Sequence, residues 1–359
     1  MRLTAIFLLL CLLVTVTASA ADLEASQRQA YGIDALENAV PQDLQPYLHE
    51  DGSSFGQDML SIVKNGLSHC GIYLGEALKA AAALLLIVLL FAVVQMLPNQ
   101  LGFAAAAAGA CAVIAVCAGN IKSMIGLGRD TIARYSEFSK LLIPTIAGAA
   151  AASGAPAGAS ALLAATTVVT DVMVSVQETY LAPLMGIYIA AAAGDAVTQS
   201  SALHGLTNAI GTVIKTALRV ILFAFSAYLS ITGIISGTVD AMSLKAAKMT
   251  VSTAVPVIGG MLSDASETVL VSAAFLRNSV GLFGMLSVMA IGILPFLQLG
   301  IQYLVLQLTA FLAGVISEGS LTKLLHAIAS AMGYLLAMTG TCAVLVFVAC
   351  ICFMKVAAP

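Results

Sequence analysis

Charge is scarce in this chain. Only 9% of its 359 residues are Asp, Glu, Lys or Arg, against 60% hydrophobic residues and a mean hydropathy of +1.02. Soluble domains carry roughly a quarter charged residues, so that class is excluded and an all-α polytopic membrane protein is indicated. A disulfide framework is lacking too. Of the seven cysteines, Cys11 lies in the apolar N-terminal run. Cys111, Cys117, Cys342, Cys350 and Cys352 lie in later apolar stretches, which leaves Cys70 alone to meet an oxidising compartment. Cys350-Ile351-Cys352 has neither ligand spacing nor a nearby histidine and reads as small apolar span residues. No basic tract points to nucleic acid.

Signatures of catalysis are missing as well. Ala193-Gly194-Asp195 lacks the preceding glycine of the intramembrane aspartyl pattern and has no Tyr-Asp partner. His49-Glu50 has no second histidine at metalloprotease spacing, and neither a Gly-x-Ser-x-Gly elbow nor a phosphate-binding Gly-Lys-Ser/Thr occurs. The expectation is a protein without catalytic residues, metal or cofactor.

What is present falls into five stretches. Residues 1–20 have a short basic start at Arg2, an apolar run and a small-x-small end, Ala18-Ser19-Ala20, the pattern of a secretory signal. Residues 21–76 hold nine of the eighteen acids against Arg28 and Lys64, and read as an acidic extracytoplasmic segment. Residues 77–140 read as a membrane hairpin (77–97 and 102–121) followed by a basic amphipathic segment, 122–140. There Ile125, Ile132 and Phe138 share one face, which suggests an interfacial helix. Two full crossings put this basic segment on the same side as the acidic one, against the positive-inside bias.

Residues 141–237 and 238–359 read as two membrane repeats. A shift of about 112 positions lays Leu142-Ile143-Pro144-Thr145-Ile146-Ala147-Gly148 on Ala254-Val255-Pro256-Val257-Ile258-Gly259-Gly260, and Pro183 on Pro295. Each unit is expected to hold a short broken helix (141–153; 253–262), two longer ones (157–176 and 181–197; 269–289 and 291–314), an amphipathic piece and a last span (216–235; 331–354). In the first unit Leu203, Leu206, Ile210 and Val213 form the apolar face of that piece. Paired broken-helix units occur in transporters, in parallel or inverted arrangement.

The stretch around Pro256 is the least like a passive anchor. Pro256 removes a backbone donor and Gly259-Gly260 lowers helix propensity, so a break is expected there. Ser263, Asp264 and Glu267 follow, with the two carboxylates one turn apart on one face. With Pro144 and Gly148 they form the candidate pore or hinge; a helix-capping role for Ser263 and Asp264 is the plainer alternative. Lys245, Lys248 and Arg277 flank the stretch as candidate partner or lipid contacts. Asp171, Glu178, Asp195 and Arg219 also fall within or at the ends of apolar runs, where ionisable groups are costly. His204 and His326 read as interfacial. Gly154/Gly158 and Gly233/Gly237 fit small-xxx-small packing.

The run from Gly237 through Asp240-Ala241-Met242-Ser243-Leu244-Lys245 and Pro256-Val257-Ile258-Gly259-Gly260-Met261-Leu262-Ser263-Asp264-Ala265-Ser266-Glu267 resembles the stage III sporulation protein AE family of endospore-forming Firmicutes. The layout agrees: a signal peptide, an acidic outer segment, then a polytopic body. The resemblance implies a multi-pass component of a secretion-like channel between mother cell and forespore, in the mother-cell membrane around the forespore. Implied partners are the bilayer, the other stage III sporulation A proteins and, across the intermembrane space, stage II sporulation protein Q. It supplies no catalytic residues. Two rival readings are an independent secondary transporter and a purely structural membrane scaffold.

Overall fold

Long apolar runs surrounded by lipid must satisfy every backbone amide internally, which favours uninterrupted helices. The computed structural model describes the backbone of residues 55–95, 102–152, 157–231, 259–317 and 319–356. Side chains are described within 56–94, 104–142, 164–230, 281–317 and 319–351. The elements are α1 (Phe55–Gln95), α2 (Gly102–Ala152), α3 (Ala157–Val176), a π-helical turn (Gln177–Leu181), α4 (Ala182–Thr198), α5 (Ser201–Ile231), α6 (Gly259–Ile316) and α7 (Ser320–Val356). Six described stretches are long and apolar enough to cross a membrane: one each in α1, α2, α5, α6 and α7, and Ala164–Thr198 across α3, the π turn and α4. The protein is a multi-pass, all-α membrane protein.

The helices are longer than the sequence suggests. At 1.5 Å per residue the 58 residues of α6 extend about 87 Å, nearly three hydrocarbon thicknesses. The stretches expected as separate helices at 269–289 and 291–314 are parts of this one element, which carries Pro295 inside it. Likewise α2 joins the expected span 102–121, the basic segment and most of the short helix 141–153. The amphipathic face of 122–140 is buried in the bundle: Ile132 and Phe138 are fully covered and Ile125 packs against the core. In α1, the start of the helix at Phe55 makes the end of the acidic segment continuous with the first span. A proline deletes one helical donor, but a helix supported by neighbours keeps its course across it.

One break is real and has a local cause. At the π turn the Ala182 N–H bonds back to the Gln177 carbonyl, one residue further than in an α-helix, immediately before Pro183. Pro183 has no N–H to offer, and the wider turn absorbs the mismatch. The internal repeat finds no support among the described elements. Pro183 opens α4 after a π turn, whereas Pro295, its counterpart under the shift, lies within uninterrupted α6.

Helices α6 and α7 form the most extensive pair, with α1 and α2 the next largest neighbours of α6 and α7 respectively. Glycines set the close approaches. Gly66 of α1 faces Ile293 and Leu297 of α6, Gly128 of α2 faces Leu335 of α7, and Gly109 sits between Phe91 and Leu321. That last contact places the end of α1 and the start of α2 beside the start of α7. Glu178 lies within electrostatic reach of Cys342, and Tyr188 packs on Tyr334, so α4 runs antiparallel to α7. The α4–α5 turn at residues 199–200 therefore lies at the same end of the bundle as the α6–α7 turn. Three buried threonine hydroxyls are satisfied within their own helices: Thr131 donates to the Leu127 carbonyl at 2.7 Å, Thr170 to Thr166 at 2.8 Å and Thr309 to Val305 at 2.7 Å.

Candidate functional site

An opening between α6 and α7 lies beside further glycines of these helices. Glycines let neighbouring tyrosines approach the helix backbones closely, and beside them lies a cavity of about 990 Å³. It is bounded by α6 from Val288 to Gln307 and α7 from Ser330 to Phe347, with Tyr135 from α2 and Lys215 and Leu222 from α5. Three tyrosines of its wall sit on glycines of facing helices. A Cβ on Gly292 would overlap the Tyr135 hydroxyl, and one on Gly211 would stand 2.9 Å from the Tyr334 hydroxyl. A Cβ on Gly333 would stand 2.9 Å from Tyr303 Cε2. These seats tie α2 to α6, α5 to α7 and α6 to α7.

Polar groups are few and come from four helices. Lys215 Nζ stands 5.5 Å from the Tyr334 ring centroid, within cation–π range. Tyr334 meets Tyr188 edge-on at 5.4 Å and 76°. Thr339 and Thr341 turn their protons to their own helix: Thr339 donates to the Leu335 and Leu336 carbonyls and Thr341 to Ala337. The wall thus offers one ammonium group, one carboxamide (Gln307) and several hydroxyls against a mostly apolar surface, a lining suited to an amphiphilic or extended apolar molecule. Among the described residues no cluster of three or more His, Cys, Asp or Glu could hold a metal ion.

The residues singled out from sequence lie elsewhere. Pro144 and Gly148 fall within helical α2, Gly259 and Gly260 are the first residues of α6, and Ser263, Asp264, Glu267 and Arg277 follow in that helix. The side chains of all these residues lie outside the described set, as do Pro256, Lys245 and Lys248 altogether. Gly259-Gly260 open a helix, in keeping with their low helix propensity. Among the intramembrane ionisable groups, Asp171 has a buried Oδ1 without a hydrogen-bond partner. Its neighbour in sequence Gln177, fully buried on the π turn, leaves both amide atoms unpartnered. Asp195 pairs with His204 Nδ1 at 3.0 Å across the α4–α5 turn, as groups at a span end do.

Sequence reasoning missed Lys215 and Tyr135. The span expected from residue 216 leaves Lys215 just outside it, whereas α5 runs unbroken from Ser201 and carries Lys215 to the cavity. Tyr135 gives no local signal, because its partner glycine is on another helix.

The family model described as stage III sporulation protein AE matches residues 53–357. The chain belongs to this family. The match takes in every described helix and both walls of the cavity. A curated relative, stage III sporulation protein AE of Bacillus subtilis (strain 168), is 22% identical over 213 residues, covering 59% of this chain and 53% of the relative. The chain thus spans about half the length of the curated relative it matches. No solved structure matches it.

Proposed function

We propose that this protein is a non-enzymatic, multi-pass component of the channel complex between mother cell and forespore, required for forespore development. The family match over residues 53–357 carries this reading. In it, the protein lies in the mother-cell membrane around the forespore and assembles with the other stage III sporulation A proteins. Contact with stage II sporulation protein Q is indirect, across the intermembrane space. In this reading the α6–α7 cavity, of about 990 Å³, is where the subunit would hold a passing molecule. The test is deletion with complementation in a spore-forming host, read by a late forespore reporter and by co-purification from sporulating membranes. Loss of the reporter and recovery of stage III sporulation A proteins are expected. Normal spores without the protein would overturn the reading.

The cavity of about 990 Å³ favours one alternative, an independent secondary transporter. Solute flux in liposomes holding this protein alone would select it over the channel component.

A further inference from the structure

A second cavity, of about 230 Å³, lies between α1, α2 and α6 and shares no lining residue with the first. Tyr73 and Glu76 of α1, Asn120 of α2 and Gln298 and Gln302 of α6 line it, together with Ala80 and Met124. Polar side chains from three separate membrane helices thus converge on one small space, a placement that is costly unless a ligand or water answers it. Gln302 is only 6% exposed and its Nε2 has no hydrogen-bond partner. Glu76 is an exposed carboxylate on the lining and forms no ion pair with a described residue.

The donor set has a definite chemistry. One carboxylate, three carboxamides and a phenol offer hard oxygen ligands, and no lysine, arginine or histidine lines the space. Hard oxygens select hard cations, and a single carboxylate balances one positive charge, whereas calcium sites gather several. The volume is several times the roughly 30 Å³ that one water occupies, so an ion there keeps part of its hydration. Gln302 Nε2 is enclosed by protein atoms, so the amide meets the ion through its oxygen. Access is consistent as well. Glu76 immediately precedes the apolar run of α1 and Asn120 closes that of α2, so the cavity lies where this hairpin leaves the hydrocarbon.

We propose that this α1–α2–α6 cavity binds a partly hydrated alkali cation, sodium or potassium. Glu76 supplies the charge, and Asn120, Gln298 and Gln302 supply oxygens around it. The site is independent of the channel reading and stands or falls separately from it.

The test uses the full chain purified in detergent, with thermal unfolding followed by far-UV circular dichroism. Sodium or potassium chloride replaces N-methyl-D-glucamine chloride at constant ionic strength. A saturable rise in the midpoint with an alkali ion is expected. Glu76→Gln raises the half-saturating concentration about tenfold or more, the loss of one charge-assisted contact. Glu137→Gln, at an exposed carboxylate outside the cavity, leaves it unchanged. Should Glu76→Gln fail to fold, Asn120→Asp adds a second carboxylate and is expected to shift preference toward calcium. Equal midpoints in all three salts would overturn the proposal, as would an ion response that neither cavity substitution alters.

Discussion

The hydroxyl of Tyr135 on α2 lies over Gly292 of α6 and donates to the Val288 carbonyl at 3.1 Å. The two features depend on each other. In a helix the residue four positions on stands beside a carbonyl, and its Cβ helps to screen that oxygen from a second donor. Glycine at 292 leaves the Val288 oxygen open, and the phenol of another helix reaches it.

Gly292→Ala is therefore expected to destabilise the bundle by about 1–3 kcal/mol, because the new methyl displaces a fully buried tyrosine. Tyr135→Phe loses one hydrogen bond, worth about 1 kcal/mol, and frees the space the methyl needs. The double variant should thus be less destabilised than the sum of the two. Thermal unfolding of the four proteins in detergent measures the coupling; strict additivity would contradict the contact.

Gln199 is a non-glycine residue in the left-handed region, φ 52°, at the end of α4, where its N–H bonds to the Asp195 carbonyl at 2.7 Å. A side chain in that conformation costs about 1–2 kcal/mol. Gln199→Gly is expected to stabilise by about 0.5–1 kcal/mol, and Gln199→Val to destabilise, in the same unfolding assay.

If the α6–α7 cavity is used, filling it should abolish function without unfolding the protein. Ala337 lines the cavity and is exposed to it. Ala337→Phe is expected to cut spore yield sharply while the amount of protein in the membrane stays unchanged. Normal sporulation by this variant would show the space to be idle.

The α4–α5 and α6–α7 turns lie at one end of the bundle, a consequence of α4 running antiparallel to α7. Cysteines introduced as Ser201→Cys and Ser317→Cys, with the native cysteines removed, should react with a membrane-impermeant thiol reagent from the same side. Labelling from opposite sides would refute this arrangement.

Much of the coarse picture was legible in the residues themselves. Charge scarcity and run length make a multi-pass helical protein, because the demand that lipid places on a backbone is local. The helix at 157–176 follows the sequence reading residue for residue and ends at the π turn ahead of Pro183. The run 237–267 pointed to the family that the match over 53–357 establishes. The candidate site was not legible, since the acidic Gly-Gly stretch drew attention by its unusual composition while the cavity is built from ordinary tyrosines and glycines.

Sequence alone determined the membrane class, the family and the helical content, because each depends on short-range composition and pattern. Tertiary structure decided which faces are buried. Leu206 and Val213, read with Leu203 and Ile210 as one apolar face, are 44% and 53% exposed, while Ile210, Ile214 and Leu218 go inside. Lipid is as apolar as leucine, so hydropathy cannot separate the face that meets the bilayer from the face that meets a neighbour. The neighbours also carried α6 through Pro295, and they brought Tyr135 to Gly292 and Lys215 to Tyr334, contacts whose partners lie on different helices.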